Sequence, residues 1–171
     1  KTEIKGAGHF SPENRAGANI RFGIREHAMG AICNGIQLHG GLKAHCSTFF
    51  SFVDYMKPAI RMTALMKLPV VYVMTHDSIG VGEDGATHQP MEQLLMLRSI
   101  PNINVFRPCD GKETAAAFVS AFTSDKPTVI VETRQNVPVY ENTGKQALKG
   151  GYILSNCEGK PDVLLIGTGS E

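Results

Sequence analysis

Short, unbroken apolar runs alternate along this chain with stretches where apolar residues return every three or four positions. Val70-Val71-Tyr72-Val73-Met74 is the clearest run. It is short, rich in β-branched residues and without polar alternation, the signature of a strand covered on both faces. Lys43 to Ser47, Ile103 to Phe106 and Thr128 to Val131 read as further strands, and Asn19 to Phe22 as a short one before them. Helical spacing links Ala28, Met29, Ile32, Cys33 and Ile36 and stops at Gly40-Gly41. A second helix is expected from a Thr48 cap through Phe49, Phe52, Tyr55 and Met56, kinked or divided at Pro58 and resumed from Ile60 to Met66. Met91 to Leu97 and the alanine-rich Lys112 to Phe122 complete the helices. Strands alternating with helices predict an α/β fold, a mostly parallel sheet with helices on both faces.

The outer segments read differently. Residues 1–18 are rich in Gly, Pro, Asn and charge, and are expected to be loop. Asn136 to Gly151 is polar and turn-rich, and beyond it Tyr152-Ile153-Leu154 and Val163 to Gly167 are strand-like. The expected division is a principal unit over 1–137, a linker over 138–151 and the beginning of another unit over 152–171. The chain begins on Lys1 and ends on Glu171 in mid-pattern, so a piece of something longer is expected.

Thr75 to Pro90 stands out. Sixteen residues without an apolar run hold three glycines, two histidines and three carboxylates, just past the strongest strand. Strand-to-helix connections in compact α/β units take about 2–6 residues, so a segment of this length calls for a functional reason. Composition narrows the reason. The 171 residues and 42% hydrophobic content suffice for one domain plus an attachment. Seventeen basic against sixteen acidic residues leave a net charge of +1, with no basic stripe for nucleic acid and no charged tail. Cys33, Cys46, Cys109 and Cys157 are scattered without metal or disulfide spacing, which fits a reducing cytoplasm. No apolar run approaches the ~20 residues of a membrane helix, and no signal-peptide pattern opens the chain.

Ligands of open parallel sheets bind outside the carboxyl ends of the strands. Chemically capable side chains collect there: Glu26 after Asn19–Phe22, Ser47 and Thr48 after the Lys43 strand, His76 after Val70–Met74, Arg107 after Ile103–Phe106 and Arg134 after Thr128–Val131. This locates a site without naming its ligand. Gly80-Val81-Gly82-Glu83-Asp84-Gly85 matches a dinucleotide fingerprint in form. Its first glycine comes six residues past the strand, and two acids stand where phosphate would approach, so a chance match is the better reading. Zinc ranks below an organic ligand, because His76, Asp84 and His88 lack the tight ligand pairing of a tetrahedral site. Structurally, His88-Gln89-Pro90 reads as a helix cap and His76 as a polar strand end. Phe49, Phe52 and Tyr55, three residues apart, read as core or as an aromatic surface for a flat ligand, and Arg134 as a surface cation or an anion partner.

Four segments together resemble the middle, pyrimidine-binding domain of transketolase. They are Arg25-Glu26-His27-Ala28-Met29-Gly30, Thr75 to Gly80, Gly82 to Pro90, and Thr133-Arg134-Gln135-Asn136. The likeness runs from about Lys1 to Val137, and Asp162 to Glu171 resembles the opening strand of the C-terminal domain. It implies an enzyme that uses thiamine diphosphate, with magnesium or calcium, to move a two-carbon ketol unit between sugar phosphates. It also implies a cytoplasmic homodimer of carbohydrate metabolism (the pentose phosphate pathway). By the same likeness Glu26 hydrogen-bonds the cofactor's pyrimidine and trades a proton with it, while Phe49, Phe52 and Tyr55 wall the ring. A helix N-terminus favours the carboxylate, so apolar surroundings must outweigh it for such a role. His76 and His88 match residues at substrate oxygens, Asp84 the carboxylate reading the donor's hydroxyl, and Arg134 a phosphate anchor. His27, His39 and His45 match no role and are expected to be structural.

The Gly-Asp-Gly and downstream Asn-Asn that hold diphosphate and metal in that family are not in these 171 residues, and its first strand would precede Lys1. A second subunit's diphosphate-binding domain is the implied partner. The chain alone is expected to be inactive, to bind the cofactor weakly or not at all, and to self-associate through an open sheet edge. The alternatives are a non-catalytic α/β binding or assembly module, a dihydroxyacetone synthase-like ketol transferase, and a nucleotide binder using the Gly80 loop.

Overall fold

Four strands, β1 (His45–Phe49), β2 (Val71–Asp77), β3 (Asn104–Phe106) and β4 (Thr128–Thr133), pair in the order β1-β2-β4-β3, every pair parallel. This computed structural model describes residues 3–171. Lys1 and Thr2, the first two residues of the expected opening loop, lie outside the described residues. α1 (Glu26–His39) precedes β1, and α2 (Val53–Leu65), α3 (Gln93–Arg98) and α4 (Gly111–Thr123) connect the successive strands.

The strand order explains the layers. From β1 to β2 to β3 the chain advances across the sheet, and from β3 to β4 it steps back. Parallel crossovers keep one hand, so reversing direction moves the connecting helix to the other face. Val70, Tyr72, Met74, Val129 and Val131 accordingly face α1, α2 and α3, packing with Cys33, Met56, Ile60 and Leu97. Val71, Val73 and Ile130 face Ala117 and Ala121 of α4. The alternation along β2 is the two-residue strand period with both sides buried, as its uninterrupted apolar text requires.

Four details differ from the sequence reading. Asn19 to Phe22 is not a strand: Asn19 makes only an isolated bridge to His9, outside the sheet. Thr48 does not cap a helix, because Thr48 and Phe49 continue β1 and pair with Met74 and Thr75 of β2. A 3-10 turn, Phe50–Phe52, then leads into α2, which runs unbroken through Pro58. Proline costs that helix one backbone bond. Burial of Val53, Met56, Ala59, Ile60 and Ala64 on one face offsets it. Finally, Tyr152–Leu154 and Val163–Gly167 form no strands. A strand needs a neighbouring edge, and Val163 to Ile166 stand 73–95% exposed. No helix among the described residues is long and apolar enough to cross a membrane.

Candidate functional site

Because the sheet is wholly parallel, all four strand ends share one edge. Phe49 ends β1, His76 and Asp77 end β2, Thr133 ends β4, and Arg107 follows β3. The long segment after β2 is made of short 3-10 turns, Ile79–Asp84, broken by a kink at Gly82, and Ala86–His88, rather than open loop.

Five of the expected residues meet there as one continuous set of rings. The His76 imidazole stacks on Phe49 with centroids 3.6 Å apart and planes 16° apart. Phe49 lies nearly parallel to Phe52 at 6.2 Å, and Phe52 reaches Tyr55 at 6.3 Å. His88 stands edge-on to Phe52 at 5.0 Å and to Phe49 at 6.1 Å. The His88 contacts are favoured T-shaped geometries, whereas His76 lies almost face to face on Phe49. Tyr55 remains 66% exposed, so the cluster keeps a flat aromatic surface open.

Glu26 belongs to the same region by helix register. Gly30 of α1 lies against Met56 and Ala59: a Cβ there would come within 2.9 Å of the Ala59 Cβ. Four residues on, the Asn34 amide donates to the Ala59 carbonyl, and its oxygen accepts from Thr63 at 2.6 Å. The two helices therefore run parallel, and one turn back from Gly30 brings Glu26 level with Phe52 and Tyr55. The carboxyl is half-buried, and among the described residues no hydrogen bond or ion pair engages it. It makes no ring contact of the kind that joins the other five.

Asp84 ends the first 3-10 turn, exposed, and Arg134 extends from β4 to Glu83 at 3.3 Å, so both stand on the rim. That exposed pair is weak and exchangeable. Ser47 does not reach the cluster through a hydrogen bond; its buried hydroxyl has no partner among the described residues. His39 and His45 are exposed, at the opposite end of α1 and the start of β1, away from the ring cluster.

Sequence reasoning missed two features. Each site histidine follows a threonine, and each Nδ1 lies on that threonine's hydroxyl, 3.0 Å for Thr75–His76 and 2.8 Å for Thr87–His88. The repeated Thr-His pair was a visible signal for this. The second is the Arg107 guanidinium, whose Nε donates to the Asp77 carboxylate below the rings. Burial opposes the charge on Arg107, but Asp77 and Glu171 more than offset it, so its pKa is raised. No sequence signal links Asp77 with a residue thirty positions on. Among the described residues no group of three His, Cys, Asp or Glu side chains is placed to hold a metal ion.

Comparison with known proteins sets this edge in context. The family described as "Transketolase, pyrimidine binding domain" matches residues 1–139. The transketolase of Geobacillus stearothermophilus is 55% identical over 177 residues, covering 100% of this chain and 26% of its own length. A crystal structure of transketolase from Pichia stipitis in complex with sedoheptulose-7-phosphate superposes with a TM-score of 0.87 at 47% identity. It covers 92% of this chain and 24% of that one. A structure described as the inactive β4 tetramer of a split-gene transketolase superposes at 0.62 with 30% identity, covering 70% of this chain and 38% of that one. The chain thus spans about a quarter of the length of the curated relatives it matches.

Proposed function

The chain belongs to the transketolase family, and from that premise we propose that it is the pyrimidine side of an enzyme moving a two-carbon ketol unit from a ketose phosphate to an aldose phosphate. The observation that carries the reading is the ring cluster level with the first turn of α1, where a half-buried carboxyl has no partner among the described residues. A flat, apolar ring carrying polar nitrogens fits such a place, and the aminopyrimidine of thiamine diphosphate has that chemistry.

Bound there, thiamine diphosphate supplies a carbon nucleophile able to hold the two-carbon unit. The chain's own residues do the rest. Phe49, Phe52 and Tyr55 orient the pyrimidine and exclude water, and the Glu26 carboxyl exchanges a proton with it. Thr87 holds His88 by Nδ1, so Nε2 is the nitrogen His88 presents to a substrate oxygen. His76 is held in the same way by Thr75 and fixed against Phe49. Asp84 reads the donor's hydroxyl configuration, and Arg134 exchanges Glu83 for the substrate's phosphate. The diphosphate and its magnesium or calcium fall to a separate domain, contributed by a second subunit of a homodimer. We place the whole in cytoplasmic carbohydrate metabolism, in the pentose phosphate pathway. The 1–137 unit then carries the site, 138–151 connects, and 152–171 opens the next domain.

By this reading the chain is inactive alone, as the split-gene relative's tetramer is described. Glu26→Ala in the intact protein lowers kcat for two-carbon transfer by about 10²–10⁴-fold or more, the range for a lost proton-transfer group. Unchanged turnover would remove the mechanism.

A further inference from the structure

The corner that carries His76 is strained. His76 has φ 62° and Ser78 φ 116°, conformations that side-chain-bearing residues adopt only when their surroundings hold them. Between Met74 and Asp77 the β2–β4 register slips, and Asp77 is buried. Something has to hold this corner, and the structure shows grips on both sides of it.

On one side, the Asp77 carboxylate accepts from Arg107 Nε, with side chains 9% and 14% exposed. The remaining arms of the guanidinium are engaged as well. Nη1 donates to the Thr168 carbonyl and Nη2 to Glu171 Oε2 at 2.6 Å. The Gly169 amide donates back to the Arg107 carbonyl at 3.1 Å. Gly169 lies flat on the guanidinium: a Cβ there would be 2.7–2.9 Å from Cζ, Nη1 and Nε, and its φ is +70°. On the other side, the Ser78 hydroxyl donates to Gln135 Oε1 at 2.8 Å, and the Gln135 amide donates to Ser170 Oγ at 3.1 Å. Gly80 is pressed on the same amide, with a Cβ only 2.4 Å from Oε1. Both flanks of the His76 corner therefore end on the four residues Thr168 to Glu171.

We propose that Arg107 is a positioning residue, which by holding Asp77 sets the His76 imidazole on Phe49 and couples its placement to the segment Thr168–Glu171. The inference rests on the role given to His76 above. Its geometry asks for arginine specifically. Three acceptors in three directions are met by one rigid planar fork, and a lysine ammonium on a flexible stem keeps the charge without the fork. Arg107 touches neither rings nor substrate in this scheme and acts through Asp77.

The test reads the coupling directly in the 171-residue chain, by NMR of its histidine rings. The His76 ring protons lie over Phe49 and carry its ring current. In Arg107→Met they are expected to move downfield toward the positions of exposed His39, while the signals of His39 and His45 stay. Arg107→Lys does not restore them, and Glu171→Gln, which leaves the Asp77 grip in place, gives a smaller shift in the same direction. Unmoved His76 signals in a folded Arg107→Met chain would overturn the proposal. So would loss of shift dispersion for every histidine in that variant together with a silent Glu171→Gln. The readout is a ring-current shift and not turnover, so its failure is distinct from that of the Glu26→Ala assay.

Discussion

A polar residue in a core is stabilising only if its partners are complete, and Thr63 shows how narrow that condition is. Its hydroxyl lies 2.6 Å from both Asn34 Oδ1 and Tyr72 OH, with the Ala59 carbonyl at 2.8 Å. One consistent order has Tyr72 donating to Thr63 and Thr63 donating onward to Asn34. Burial, only partly relieved by Thr63, pushes the Tyr72 phenol's pKa far up, so it stays a donor at every accessible pH. Tyr72→Phe removes a donor and leaves one oxygen short, costing about 1 kcal/mol in urea unfolding. Thr63→Val takes the 2.6 Å partner from both the phenol and the Asn34 oxygen, leaves them only the long 3.4 Å bond from Tyr72 OH to Asn34 Oδ1, and costs about 1–3 kcal/mol. Equal costs would mean that the three groups do not act in series.

At the scale of elements, what was legible and what was not divide along physical lines. The long apolar runs mark β2 and β4 because a strand buried on both faces has no other way to be written. The ring cluster is legible too, though for a different reason from the one its spacing offers. An interval of three reads as a single helical face, whereas Phe49 ends a strand, Phe52 closes a 3-10 turn and Tyr55 opens a helix. Pairing to β2 decided that, and pairing is not local information. The Arg107 grip and the positive φ at His76 are tertiary for the same reason. Gly30 is another case: inside a helix it looks like a weakness, yet it lets α1 approach Ala59. Gly30→Ala gains about 1 kcal/mol of helix propensity but overpacks the interface by about 1–3 kcal/mol. A net loss of about 1 kcal/mol in thermal or urea unfolding is expected, with Glu26 displaced alongside it, and a net gain would show that the helices have room to spare.

For the molecule as a whole, β1 is a sheet edge, and Val163 to Ile166 leave four consecutive apolar side chains in water. Such features promote association. The 171-residue chain is expected to show a mass that rises with concentration in light scattering, and Leu165→Lys with Ile166→Lys to lower it toward the monomer. A concentration-independent monomer in the unaltered chain would contradict this. The parallel seating of α1 on α2 has a consequence of its own. Glu26 is carried like the tip of a pointer whose pivot is the Asn34 amide, two turns away. One residue added between them swings the tip by about 100° and lengthens it by about 1.5 Å. The same residue added among Gly40 to Lys43, beyond the pivot, leaves the aim untouched. Length changes are thus forbidden on one side of that asparagine and harmless a few residues past the other.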